Sequence, residues 1–214
     1  MSQDLRRLDH DRAIILAGIS HDLRTPLARL RLGTEMSQAD ESLKEGMHAD
    51  IDEMDRTIGQ FLDFARVSSE NGEAAQPTSV SALAAELVEQ YGKLGHKLEA
   101  HIEATPELNL SRQAMRRVLA NLIDNALRHA GKEIEIHTRR ENHSVVAEVL
   151  DRGPGIPPEQ AERMKQPFTQ LEHARSGALG SGLGLAIADR VARSHGGTER
   201  FDAASRRLLA EFGI

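Results

Sequence analysis

A histidine, a pair of asparagines, an aspartate and a run of glycines are the residues of this 214-residue chain whose types and spacing could do chemistry. The histidine is His21, in Ser20-His21-Asp22-Leu23-Arg24-Thr25-Pro26-Leu27. At about 100° per residue, Leu16, Ile19, Leu23, Leu27, Leu30 and Thr34 gather on one face of a helix. His21 then points nearly opposite that face, and Thr25, one turn on, points with it. An imidazole on the wet side of an amphipathic helix is available to something outside the helix. Asp22 can accept a hydrogen bond from one ring nitrogen, which fixes the tautomer and leaves the other nitrogen's lone pair free as a nucleophile.

A second group lies on a predicted helix from Ser111 to Ala130, whose apolar stripe is Met115, Val118, Leu119, Leu122, Ile123, Ala126 and Leu127. Asn121, Asn125 and His129 stand at i, i+4 and i+8 along the flank of that stripe, where a groove wall would be. A carboxamide oxygen is a hard, neutral ligand, suited to a Mg²⁺ that already carries a polyphosphate's charge. Asp151-Arg152-Gly153-Pro154-Gly155-Ile156 follows a predicted strand. Its glycines remove side chains from a turn, so a flat ligand can approach the backbone, and the Asp151 carboxylate can accept from an exocyclic amine such as adenine carries. Gly177-Ala178-Leu179-Gly180-Ser181-Gly182-Leu183-Gly184-Leu185 then opens onto a helix. Converging backbone N–H groups and a helix N-terminus make a phosphate cradle of this kind. It is neither a P-loop, whose Gly-Lys-Ser/Thr ending is missing, nor a dinucleotide fingerprint. The remaining histidines lack zinc-site spacing and no hydrolase nucleophile elbow is present, so the one metal expected is Mg²⁺ held with a nucleotide. Taken singly, these patterns also fit a solvated histidine, polar edge residues and flexible glycine turns; their combination carries the chemistry.

The elements that must position these residues fall into two groups. A helix from about Leu8 to Met36 tolerates Pro26 as a kink. A polar turn, Ser37 to Ser42, leads to a second stripe of Leu43, Met47, Ile51, Met54, Ile58, Phe61 and Ala65. Two long helices joined so tightly make an antiparallel hairpin. A hairpin covers only part of each stripe, and pairing two hairpins in a four-helix bundle buries the rest, so residues 1–67 predict a homodimer. Residues 68–79 contain no apolar side chain larger than alanine and read as a linker. From 80 to 214 the pattern mixes a helix at Val80 to Tyr91, a strand near Lys97 to Glu103, the asparagine helix, strands at Glu133 to Arg140 and Ser144 to Leu150, a helix from Leu183 to His195 and two short closing strands. That order predicts an α/β sandwich, helices on one face of a mixed sheet.

Composition narrows the function classes. With 39% hydrophobic and 28% charged residues the chain is globular, and 3% aromatic residues with no Trp point to aliphatic, helix-rich packing. A formal net charge of −6 argues against nucleic acid as a partner, because a duplex is bound through a concentrated basic stripe. The absence of cysteine excludes a disulfide scaffold and thiol chemistry. No apolar run approaches the roughly 18 to 20 residues of a membrane span.

The motifs, in their order, resemble those of bacterial sensor histidine kinases over nearly the whole chain. Ser20-His21-Asp22-Leu23-Arg24-Thr25-Pro26-Leu27 looks like the H box in the variant found in osmosensor (EnvZ-like) kinases. Asn121-Leu122-Ile123-Asp124-Asn125-Ala126 resembles the N box, Asp151-Arg152-Gly153-Pro154-Gly155-Ile156 the G1 box, Pro167-Phe168 the F box, and Gly180-Ser181-Gly182-Leu183-Gly184-Leu185 the G2 box. The resemblance implies a dimerisation and phosphoacceptor hairpin followed by an ATP-binding domain of the gyrase, MutL and heat-shock chaperone type. It assigns Asn125 to the metal, Asp151 to the adenine amino group, Arg128 and His129 to phosphate and nucleotide contacts, and the segment before Gly180 to a mobile lid whose Arg175 could reach a γ-phosphate. Arg175 to Gly180 is one residue longer than in close relatives, and the hairpin Thr198 to Ile214 is short, which predicts an imperfect last strand. Such kinases usually carry transmembrane helices and a HAMP linker upstream, and Asp4 to Arg12 reads like the tail of that linker. The chain is thus expected to be the cytoplasmic part of a protein anchored at the inner membrane.

The activity implied is autophosphorylation of His21 from Mg-ATP, with Asp22 orienting the ring and accepting its proton, then transfer to an aspartate of a response regulator. Thr25 stands where the family orients the water that removes that phosphate again, which implies a phosphatase as well. Two other classes stay open: a non-catalytic, nucleotide-binding dimeric scaffold, and an ATPase of the same broad fold. The ATPase would need a glutamate ahead of the asparagine line, and Ala114 to Ala120 holds no acid.

Overall fold

The computed structural model describes residues 18–19, 22–67, 75–130, 133–170, 181–202 and 207–213. They fall into two compact units.

The first unit is the helical hairpin. Helix α1 covers 22–36, with helical backbone also at 18–19, and runs through Pro26. It ends where the Ser37 N–H donates to the Thr34 carbonyl at 3.2 Å and the Ser37 hydroxyl donates to the same oxygen at 2.8 Å. Helix α2 spans Glu41–Val67. Asp40 caps it, accepting from the Leu43 N–H at 2.8 Å. Glu41 and Ser42 are therefore helical rather than part of the turn, because the cap sits one residue ahead of them. Antiparallel pairing is visible in two cross-helix ion pairs, Arg24–Asp55 at 3.0 Å and Arg31–Asp52 at 2.8 Å, and in the approach of His48 Nε2 to the Glu35 carboxylate at 3.5 Å. Exposed pairs of this kind contribute little, about 0–1 kcal/mol each. Leu27, Thr34, Ile51 and Leu62 are buried, yet Leu30 and Met54 of the apolar stripes stay 54% and 51% exposed. Leu23, Leu43 and Met47 are exposed with them. Among the described residues no helix is long and apolar enough to cross a membrane.

The second unit begins earlier than the sequence predicts. Strand β1, Gln76–Ser79, pairs antiparallel with β3, Glu107–Leu110. Residues 76–79 are thus not linker: Thr78 is buried and its hydroxyl donates to the Leu110 carbonyl at 3.1 Å, so a ladder and one polar side chain hold a strand that has no large apolar residue. Helix α3, Val80–Lys93, is capped by Ser79 and buries Val80, Leu83, Ala84, Leu87 and Tyr91. Then come β2, Leu98–Ile102, the strand β3, and α4, Arg112–Ala130. Ser111 caps α4, accepting from the Ala114 N–H at 3.1 Å. Strands β4, Ile134–Glu141, and β5, Ser144–Leu150, form a hairpin over Asn142, whose φ of 53° suits the turn. Helices α5, Pro158–Met164, and α6, Gly184–Ser194, and strands β6, Thr198–Asp202, and β7, Arg207–Gly213, complete it.

The five-stranded sheet has the order β2-β4-β5-β7-β6, with β2 parallel to β4 and the other pairs antiparallel. This is the expected mixed sheet with helices on one face. Along β4, Ile134, Ile136 and Thr138 are buried, whereas Glu135, His137 and Arg139 alternate to the other side. Met115, Val118, Leu119, Leu122 and Ile123 of α4 pack into the same core as Leu83, Leu87, Ile187 and Phe212. The last strand is not imperfect: β7 pairs with β5 from Arg207 to Gly213 and with β6 on its other side, and Ala210 and Phe212 are fully buried. Its place inside the sheet, rather than its length, stabilises it.

Candidate functional site

The N-terminal half of the asparagine line is packed between two turns of backbone. Asn121 is buried, and its amide donates to the Arg117 carbonyl one turn back at 2.9 Å. Its Oδ1 lies 3.4 Å from where a Cβ on Gly184 would be, so the start of α6 rests directly on it. Asn125, one turn on, is half-buried on the same flank. Between them Asp124 accepts a 2.5 Å hydrogen bond from the Tyr91 hydroxyl, which ties α4 to α3. Burial first, and the Asp124 charge second, push the Tyr91 phenol far above its ordinary range. Sequence reasoning missed this pair; the signal was the chain's single tyrosine, in phase with the apolar stripe of α3.

His129 at the C-terminal end of α4 has an exposed edge, yet the packing around the rest of it strips water from the ring; that desolvation, and then the neighbouring Arg128, pull its pKa below the usual imidazole value, while the Asp151 carboxylate opposes them. His129 is therefore held toward its neutral form beside the loop that follows β5. In that loop Asp151 Oδ1 accepts from the Gly153 N–H at 2.8 Å, an Asx turn that aims the carboxylate. Gly153 is buried, Gly155 takes a left-handed φ of 75°, and Ile156 is half-buried. Arg152 turns the other way, its guanidinium 3.2 Å from Glu135 on β4.

The third part is the junction of Phe168 with the residues before α6. The Phe168 N–H donates to the Gly182 carbonyl at 3.0 Å, and the Phe168 ring stays 63% exposed. Gly182 has φ +67°, and a Cβ there would sit 2.7 Å from the Thr169 carbonyl oxygen. Only glycine fits that conformation and that approach. Leu183 is fully buried and anchors the start of the helix.

Two contacts, Asn121 to Gly184 and Phe168 to Gly182, and the electrostatic attraction between His129 and Asp151 thus link the four motifs of the second unit. Asp22 and Thr25 lie on an exposed stretch of α1 in the first unit. His21, Arg175 and Gly180 lie outside the described residues.

Comparison with known proteins divides the chain in the same way. Residues 11–70 match the family described as His Kinase A (phospho-acceptor) domain, and residues 111–208 match the histidine kinase-, DNA gyrase B- and HSP90-like ATPase family. The chain is 32% identical to Sensor protein RstB of Escherichia coli K12, over 94% of this chain and 48% of RstB. It therefore spans about half the length of that curated relative. Among solved structures, full-length ShkA in complex with AMPPNP superposes with a TM-score of 0.67 at 22% identity, over 92% of this chain and 45% of ShkA. The histidine kinase domain of the Escherichia coli osmosensor EnvZ matches with a TM-score of 0.50 at 25% identity, over 67% of this chain and 91% of that one. A phosphoacceptor hairpin and a mixed α/β ATPase unit, in that order and with that likeness, mean that the chain belongs to the sensor histidine kinases.

Proposed function

We propose that this chain is an ATP-dependent protein-histidine kinase that phosphorylates its own His21 and passes the phosphoryl group to an aspartate of a response regulator. The observation that supports this most is the set of two contacts and one electrostatic interaction in the second unit, which brings four sequence-distant motifs together along the C-terminal half of α4. Residues 80–214 would act as the catalytic domain, with the strand 76–79 added to it, and 1–67 as the phosphoacceptor hairpin.

In this reading Asp151 accepts from the adenine amino group, held in place by its own Asx turn. Gly153, Gly155 and Ile156 form the floor against which the base lies. Phe168 and the backbone of Gly180, Gly182, Leu183 and Gly184 enclose the phosphates, with Arg128, His129 and Arg175 around them. A neutral His129 can donate one hydrogen bond without adding charge beside Arg128. Asn125 would hold the Mg²⁺ that accompanies the triphosphate, and the half-buried carboxamide suits it as a hard, uncharged donor; the ion supplies neutralisation of phosphate charge. Asn121 acts by supporting Gly184. Phosphoryl transfer through a loose transition state asks mainly for in-line positioning and charge stabilisation. His21 would supply the attacking nitrogen lone pair. Asp22 would orient the ring and take its proton.

The apolar side chains left exposed on the hairpin support a homodimer, since a second copy would bury them in a four-helix bundle. Thr25 would position the water of a phosphatase step, making the protein bifunctional. In the whole protein this chain would form the cytoplasmic part of a membrane-anchored sensor.

Incubation with γ-labelled ATP tests the reading. Label that stays on the protein in base, leaves it in acid and disappears in His21→Gln supports the kinase. Free phosphate with no labelled protein would identify an ATPase, and bound nucleotide with neither product a scaffold.

A further inference from the structure

We propose that Glu135, His137 and His101, on the outward face of β2 and β4, form a binding site for a divalent transition ion of the zinc class, with Glu99 next in reach. The parallel register puts Glu99 opposite Glu135 and His101 opposite His137. Residues two apart on a strand share a face, so all four side chains stand on one patch, on the side of the sheet away from α3 and α4. No spacing in the sequence announces this group; strand pairing creates it.

One donor atom from each of His101, Glu135 and His137 already lies within 4.8 Å of the others. A four-coordinate zinc ion with bonds of about 2.0–2.1 Å brings its donors to roughly 3.3 Å apart. The difference is within the reach of side-chain rotation, because the backbones are fixed by the ladder and the four side chains are partly to largely exposed. The two imidazoles are in contact, their ring centroids 4.5 Å apart. Each has a carboxylate oxygen 3.2 Å from Nε2, Glu99 for His101 and Glu135 for His137.

Charge favours a cation there. With neutral imidazoles, Glu99, Glu133 and Glu135 face one arginine, Arg152, which reaches Glu133 at 3.6 Å and Glu135 at 3.2 Å. Arg139, next along the face, is committed to Glu141 and Glu148. Donor chemistry narrows the ion. Two imidazoles with carboxylates suit zinc and its neighbours, whereas Mg²⁺ and Ca²⁺ prefer all-oxygen shells. The site is thereby separate from the magnesium proposed beside Asn125. An ion here would clip the edge strand β2 to β4, and it would compete with Arg152, the neighbour of Asp151, for Glu135.

The experiment is calorimetric titration of ZnCl₂ into the full chain, free of any tag histidines and in buffer without Mg²⁺, with thermal melts in parallel. One equivalent should bind, the melting temperature should rise with zinc, and His101→Ala, His137→Ala or Glu135→Gln should each weaken binding by about tenfold or more. The double change H101A/H137A should abolish both effects; H101Q/H137Q serves if the alanine form does not fold. Absence of saturable binding to the wild-type chain, or one equivalent still bound by the folded double variant, would overturn the proposal.

Discussion

Replacing Gly182 by alanine tests whether the Phe168 junction builds the nucleotide site. The backbone at Gly182 has φ +67°, where a residue with a Cβ costs about 1–2 kcal/mol. The new Cβ would also lie 2.7 Å from the Thr169 carbonyl oxygen and 2.9 Å from the Phe168 carbonyl carbon, both backbone atoms with no rotamer to escape into. Relieving that contact means shifting the 168–169 peptide, an overpacking strain of about 1–3 kcal/mol. The sum, about 2–5 kcal/mol, falls on whichever equilibrium depends on the junction. If the junction is made only when the site is formed, nucleotide affinity drops by roughly thirtyfold to a few thousandfold. Titration of a fluorescent ATP analogue measures this, with thermal melts run beside it. Gly184→Ala is the internal comparison, since its Cβ would come no nearer than 3.4 Å to the Asn121 side chain and 3.9 Å to its carbonyl oxygen, ordinary contacts, and affinity should stay within a few-fold. A Gly182→Ala chain that binds the analogue like wild type and melts at the same temperature would refute the reasoning.

Three further outcomes follow from the same geometry. Introducing L30E with M54E on the exposed stripes should convert the proposed dimer to a monomer in sedimentation experiments, and an unchanged mass would remove the bundle from the reading. Gly46→Ala, inside α2 with no atom within 4 Å of the new Cβ, should stabilise the helical unit by about 0.5–1 kcal/mol and raise its melting temperature by a few degrees; a loss would mean that this face is covered in the assembly. Tyr91 holds its proton more tightly folded than unfolded, because burial and then Asp124 raise its pKa. The stability it contributes is complete below about pH 10 and is lost as pH rises beyond that. Tyr91→Phe should cost about 1–2 kcal/mol near neutrality by leaving Asp124 without its donor, and it should flatten the decline above pH 10 in urea melts; an equally steep decline would argue against the coupling.

Much of this architecture is legible without coordinates, for a local reason. Helices α2, α3, α4 and α6 announce themselves because a repeat of three and four puts apolar side chains on one face. Short elements escape: β1 and β3 have four residues each, and β1 is held by Thr78 and a ladder rather than by an apolar pattern. Helix α5 buries none of its residues, so it has no apolar face for periodicity to reveal. Strand β7 reads as weak because the hairpin Thr198 to Ile214 is short, and its strength is the pairing on both edges, with β6 beside it in sequence and β5 far from it.

The candidate site divides in the same manner. The motif residues are visible as residues, since carboxamides at i and i+4 or glycines before a helix carry their chemistry in type and spacing alone. Which of them meet is another matter. That Asn121 supports Gly184, that Asp124 is taken by Tyr91, and that the Gly182 carbonyl receives the Phe168 N–H all depend on how α3, α4 and α6 pack on one sheet face. The His101–His137 pairing depends on the parallel register of β2 and β4. Periodicity is a property of neighbours along the chain and so is written in it, whereas register and packing choose among partners far apart, and that choice exists only once the sheet has closed.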